Sequence, residues 1–162
     1  MAFLAWLEGS ILSLWVREST WGFPISLTLH SIGMGFLVGA NFMIALRLYG
    51  FARLVQLSSL RQFFSLMWWS ALLCLVSGLL LLIGYPAKAL TNPVFYLKLA
   101  LVAAGLVLVT QMKHQYMHGE HESSPVMRRK ALLLLLFWAG GITAGRFLAY
   151  TYVMLSTGQT YF

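Results

Sequence analysis

PISLTLHSIGMGFLVGANFMIALRLY, residues 24–49, is a run long and apolar enough to cross a bilayer as an α-helix, which takes about 20 residues. The run carries His30 near its start, Asn41 further along and Arg47 at its end. A histidine inside a membrane span is costly to bury and is by default a functional-site hypothesis. The run therefore predicts a membrane protein with a candidate site at the depth of His30.

The composition of the whole chain also predicts a membrane location. Of its 162 residues, 60% are hydrophobic and 9% are charged, and the mean hydropathy is +0.80; these values are not those of a soluble domain. The net charge of +7 does not indicate nucleic-acid binding, because the cations lie at the ends of apolar runs. Cys74, the single cysteine, stands inside an apolar run, where we expect it to pack between helices.

Four apolar runs predict four transmembrane helices, at about residues 24–49, 63–84, 93–112 and 131–155. Residues 1–18 predict an amphipathic helix at the membrane surface, with Trp6 and Trp15 facing lipid or the bundle. Small residues recur at every fourth position of the runs and allow close helix packing. The predicted fold is an all-α membrane protein, a four-helix transmembrane bundle preceded by an interfacial helix.

The distribution of cations predicts the orientation in the membrane. One side carries most of the lysines and arginines: Arg47, Arg53, Arg61, Lys113, Arg128, Arg129 and Lys130. Arg17 and Lys88 lie on the other side. The positive-inside rule therefore places the first and third linkers in the cytoplasm and both termini outside.

Three basic side chains are predicted to share one layer of the outer leaflet. With a rise of 1.5 Å per residue, His30 lies about 9 Å inside the first span, Lys98 about 7–8 Å inside the third and Arg146 about 13 Å inside the fourth. Tyr150 stands one turn from Arg146 and adds a hydroxyl. Because unpaired cations are costly at this depth, we expect these four residues to bind a cofactor or another anionic or polar group.

The partner of this layer is left open by the sequence. Glu18 and Glu8 are the internal candidates, and haem propionates, a quinone carbonyl, a lipid phosphate or a neighbouring subunit are the external ones. Each residue also has an ordinary explanation, since Lys98 and Arg146 can snorkel to the surface and His30 can be a hydrogen-bonded interior histidine. The cluster indicates a binding site more strongly than any of its members.

A second histidine group at the cytoplasmic end of the third span is a candidate metal site. It consists of His114, His118 and His121, and the first two would share one face of a continued helix. Against this hypothesis, Gly119 and Pro125 predict a loop, in which water-exposed histidines are ordinary.

A single haem held by His30 and His114 is excluded by the predicted topology. The two histidines lie near opposite faces of a hydrocarbon core about 30 Å thick. A b-type haem on His30 would therefore need its second axial ligand from elsewhere.

Catalytic motifs are missing from the sequence. It has no H-E-x-x-H, no G-x-S-x-G and no phosphate-cradling glycine loop, and no span contains Asp or Glu. The sequence therefore favours a protein without catalytic activity of its own.

Five short motifs are distributed over almost the whole chain. They read STWGFP, TLH, ALRLYG, NPVFYLK and WAGGITAGRFLAY, at residues 19–24, 28–30, 45–50, 92–98 and 138–150. In these motifs the chain resembles a family of small bacterial four-helix inner-membrane proteins of unknown function. The resemblance implies the bacterial inner membrane and a four-helix fold, and its motifs include His30, Lys98 and Arg146. The chain departs from the family at Ala45, where an acid is usual, and it lacks the acid often found beside the first-span histidine.

Together these observations predict a small integral subunit of a larger, respiratory or redox, membrane complex. It would contact lipids and other subunits and bind an anionic or polar group at the layer of His30, Lys98 and Arg146. The first alternative is an electron-transfer protein with a b-type haem or a quinone. The second is a small metal-handling or carrier protein that uses the cytoplasmic histidines.

Overall fold

The computed structural model describes residues 6–51, 57–117 and 124–157. These residues form six named helices: α1 (Ile11–Glu18), α2 (Gly22–Tyr49), α3 (Leu57–Gly84), α4 (Pro86–Leu90), α5 (Pro93–Met117) and α6 (Pro125–Thr157). Four of them are long and apolar enough to cross a membrane, over Gly22–Tyr49, Gln62–Gly84, Pro93–Gln115 and Pro125–Leu148. The predicted fold class, an all-α membrane bundle of four helices preceded by a short N-terminal helix, is confirmed.

Local signals in the sequence set the ends of the first two helices. Ser10 begins α1, and its hydroxyl accepts a hydrogen bond from the amide of Ser13 at 3.2 Å. Ser19 precedes α2, and its hydroxyl accepts from the amide of Gly22 at 3.2 Å. Gly50 ends α2 with φ of 98°, a left-handed conformation that glycine adopts without strain.

Helices α5 and α6 begin at an Asn-Pro and a Ser-Pro pair. The side chain of Asn92 accepts from the amide two residues further on, at 2.9 Å, as α5 begins. Ser124 does the same for the amide of Met127 at 3.2 Å, and Pro125 is the first residue of α6. Helix α6, the last of the four long helices, therefore begins before the span predicted at 131–155, because its cap lies on the polar side of the apolar run.

The four long helices pack in the order α3, α2, α6, α5. Contacts join α2 to α3, α5 to α6, and α2 to α6, whereas α3 and α5 have almost no backbone contact in the described part of the chain. Helix α1 packs across the start of α2 and the end of α3. We call this end of the bundle, where α2 and α5 begin, the α1 end, and the opposite one the far end.

Helix α1 buries one face and exposes the other. Val16 is fully buried, and a Cβ at Gly84 would lie 2.6 Å from its Cγ1, so α1 contacts the end of α3 directly. The exposed face carries apolar side chains, with Ile11 89% and Trp15 49% exposed. Trp6, just before α1, is 70% exposed. Such a surface is typical of a helix in contact with lipid at the membrane interface.

Buried apolar side chains are concentrated toward the far end. The largest fully buried ones in the spans are Leu37, Ile44, Leu48, Met67, Met112, Met127, Leu134 and Trp138. Toward the α1 end, the buried positions of the spans are small or polar, among them Ser26, Gly33, Ser77 and Ala144. The far half therefore holds the larger buried side chains, together with buried Asn41 and Arg47, and the half at the α1 end holds smaller ones.

Candidate functional site

All four long helices contribute to one layer near the α1 end. Helix α2 supplies His30, and α3 supplies Cys74 and Ser77, which contact it. Helix α5 supplies Lys98, and α6 supplies Gly145, against which Lys98 packs. We call these five residues the His30–Lys98 layer.

Two hydrogen bonds fix the imidazole of His30. Its Nδ1 lies 3.2 Å from the carbonyl oxygen of Cys74 and 3.2 Å from the hydroxyl oxygen of Ser77. A carbonyl only accepts, and the Ser77 hydroxyl donates its own hydrogen to the carbonyl of Leu73 at 2.6 Å. Nδ1 therefore carries the hydrogen that both oxygens accept, and Nε2 keeps its lone pair for another partner.

Small residues allow α2 and α3 to approach closely here. A Cβ at Gly33 would lie 2.9 Å from the Cys74 sulfur and 3.3 Å from its backbone nitrogen. A Cβ at Gly78 would lie 3.2 Å from Cε1 of His30. The repeat of small residues in both helices thus positions the imidazole directly against the backbone of α3.

Lys98 reaches into this layer from α5. A Cβ at Gly145 would lie 3.5 Å from Cε and 3.6 Å from Nζ of Lys98, so the end of the lysine side chain lies along the backbone of α6. The ammonium is close enough to His30 and Cys74 to act on both electrostatically. The side chain is half-buried, and no carboxylate among the described residues pairs with it.

The acids predicted as internal partners do not meet the layer. Glu18 is exposed at the last residue of α1. Glu8 forms no ion pair with a described residue, and its backbone carbonyl accepts a hydrogen bond from Arg17 at 2.7 Å. Within the described residues, the positive charge of Lys98 is thus left without an internal counter-ion.

Arg146 and Tyr150 lie beside the layer without entering it. Successive helix residues are rotated by about 100°, so Arg146 faces away when its neighbour Gly145 faces Lys98. Arg146 is exposed, and Tyr150 is 66% exposed. The structure therefore brings together two of the four predicted cofactor-binding residues, His30 and Lys98, and places the other two on the adjacent surface.

The second histidine group is described only in part. His114 is exposed near the end of α5, whereas His118 and His121 lie outside the described residues. Over 6–51, 57–117 and 124–157, no three His, Cys, Asp or Glu side chains are grouped as metal ligands would be. The metal site stays a prediction.

The described residues do not fit a haem. Nε2 of His30 could supply one axial ligand, but no second histidine lies at this level, and the backbone of α3 already lies against the imidazole ring. The two best-defined depressions in the described surface, each of about 220 Å³, are lined by other residues. They are apolar grooves on α2 and between α2 and α6, as expected of surfaces that face acyl chains.

Sequence reasoning missed the partners of His30. Ser77 and the carbonyl of Cys74 hold the imidazole, yet Cys74 was expected only to pack. The one sequence signal for Ser77 is a serine within an apolar run. The carbonyl of Cys74 could not have been predicted, because every residue has a backbone carbonyl and the sequence does not show which one a neighbouring helix contacts.

The chain matches no family model, and the comparisons with curated proteins and with solved structures found no similar chain. The resemblance to small bacterial inner-membrane proteins therefore stays a prediction.

Proposed function

We propose that this protein is a small integral membrane protein that binds the anionic head group of a lipid at the His30–Lys98 layer. The observation that carries the proposal is the half-buried ammonium of Lys98, which no described carboxylate neutralises. A charge at membrane depth is stable only with a partner or with water. An anion from outside the chain would neutralise the charge of Lys98.

The surface around Lys98 favours a lipid over a water-soluble anion. The two neighbours of Lys98 in the sequence, Leu97 and Leu99, are 54% and 50% exposed, in a helix apolar enough to cross the membrane. Helices α3 and α5 have almost no backbone contact in the described part of the chain, so a head group can approach between them while its acyl chains remain in the bilayer.

Native mass spectrometry of the purified protein, titrated with an anionic phospholipid, tests this function. Lys98→Met keeps most of the apolar stem and removes the charge. We expect it to weaken binding by about 10- to 100-fold, because a charge-assisted hydrogen bond contributes about 1.5–3 kcal/mol. The control is Lys88→Met, in the short helix α4 outside the four spans; it should bind as wild type does. Equal binding by all three proteins would refute the proposal.

The same preparation tests whether the protein binds a haem or a quinone. A spectrum without a Soret band is expected, since the layer does not fit a haem, and mass spectrometry of the extracted lipids would identify a quinone.

We also propose that the protein acts as a subunit of a larger membrane assembly in the bacterial inner membrane. Gentle extraction should then yield a particle containing other proteins as well as this 18.2 kDa chain; a particle of this chain alone would contradict that.

A further inference from the structure

We infer that the His30–Lys98 layer selects, among anionic lipids, those whose head group carries a hydroxyl beside the phosphate. Lys98 would meet a phosphate oxygen, and Nε2 of His30 would accept the hydroxyl hydrogen. The inference rests on the proposed function and adds the class of head group. A phosphoglycerol head group has this combination of groups.

The first support is the state of the imidazole. Nδ1 donates to the carbonyl of Cys74 and the hydroxyl of Ser77, each at 3.2 Å, so the ring cannot turn to offer Nδ1 without losing both bonds. Nε2 has no hydrogen-bond partner among the described residues. The site thus presents one hydrogen-bond acceptor that its own helices do not use.

The second support is the division of charge within the layer. Lys98 already places one positive charge in the layer, and no carboxylate among the described residues balances a second one. Lys98 can therefore supply the attraction for the phosphate, while a neutral His30 accepts a hydrogen bond. A simple anion uses only the first of these groups, whereas a hydroxylated head group uses both.

The experiment compares two lipids of the same charge and acyl chains. Phosphatidylglycerol carries hydroxyls beyond its phosphate, and phosphatidylmethanol carries a methyl ester in their place. Native mass spectrometry with an equimolar mixture should show wild-type protein binding phosphatidylglycerol about two- to tenfold more tightly, the range for one neutral hydrogen bond. In His30→Phe the preference should disappear while binding of both lipids persists. His30→Gln retains a side-chain acceptor and should restore part of the preference.

The outcomes separate this inference from the proposed function. If the wild-type protein binds both lipids equally, the role of His30 is refuted even when Lys98→Met abolishes binding of both. If neither lipid shows binding that depends on Lys98, the proposed function itself fails. A third titration with glycerol 3-phosphate identifies the source of the head group: binding as tight as that of the lipid would overturn a lipid ligand.

Discussion

At the scale of single residues, the contact between Gly33 and Cys74 holds α2 against α3 beside the candidate site. A Cβ at Gly33 would lie 2.9 Å from the sulfur and 3.3 Å from the backbone nitrogen of Cys74, so a methyl group requires the helices to move apart. His30 is one turn away and depends on the same spacing for its bond to the Cys74 carbonyl.

Gly33→Ala is therefore expected to destabilise the protein by about 1–3 kcal/mol, the usual cost of overpacking. Thermal unfolding in detergent measures it. The matched control is Gly35→Ala in the same helix, where an added Cβ meets nothing within 4 Å; this variant should match wild type or be slightly more stable. Equal unfolding temperatures for the two variants would contradict the close approach.

The tautomer of His30 is a second prediction at this scale. Both oxygens near Nδ1 act as acceptors, so a neutral imidazole should carry its hydrogen on Nδ1. Nitrogen-15 NMR of histidine-labelled protein distinguishes the two nitrogens, and His30→Phe assigns the signal. A neutral His30 protonated at Nε2 would show that the hydrogen bonds described here are wrong.

At the scale of helices, Val16 is the fully buried apolar side chain by which α1 contacts the bundle. This side chain is fully buried against Gly84, whereas Ile11 on the other face of α1 is 89% exposed. Val16→Ala removes two buried methyl groups, and we expect a loss of about 1–3 kcal/mol and faster amide hydrogen exchange over residues 11–18. Ile11→Ala should leave the exchange unchanged. Similar exchange in both variants would mean that α1 does not depend on this contact.

The sequence predicted the helices well because their signals are local. Apolar runs of bilayer length are visible without a structure, whereas the caps at Ser10 and Ser124 and the helix end at Gly50 were not predicted. The depth of His30 and Lys98 followed from the helical rise alone. What the sequence could not supply is the rotation of each helix about its axis, which turns Lys98 into the layer and Arg146 out of it. The rotation of a helix depends on its packing against its neighbours. These helices have apolar residues on every face, so the sequence does not show which face points inward.

At the scale of the whole molecule, the two halves of the bundle differ in a way that suits a binding site. The far end has the larger buried side chains. Two polar contacts also join its helices. Lys130 donates a hydrogen bond to Gln115 at 2.6 Å, and the ammonium of Lys113 lies 5.3 Å from the centre of the Phe64 ring. The α1 end has small and polar buried residues instead. The far half thus packs through large buried side chains, and the half at the α1 end, which contains the His30–Lys98 layer, packs through small ones.

The orientation of the molecule can be tested by cysteine labelling. With Cys74→Ser as background, Thr20→Cys lies at the α1 end and Val126→Cys at the far end, and both positions are exposed. The positive-inside rule predicts that an impermeant maleimide labels the first in intact spheroplasts and the second only after permeabilisation. The reverse pattern would place the His30–Lys98 layer in the cytoplasmic leaflet.

The central claim is that Lys98 binds the phosphate of a lipid, and solid-state NMR can measure this contact directly. The protein is labelled with nitrogen-15 at lysine side chains and placed in phosphatidylglycerol bilayers, and Lys98→Met assigns the Lys98 signal. Dephasing by phosphorus-31 should show the Lys98 nitrogen about 4 Å from a phosphorus atom, as a charge-assisted hydrogen bond requires. A Lys98 signal that does not dephase, in a sample whose other lysines do, would contradict the account.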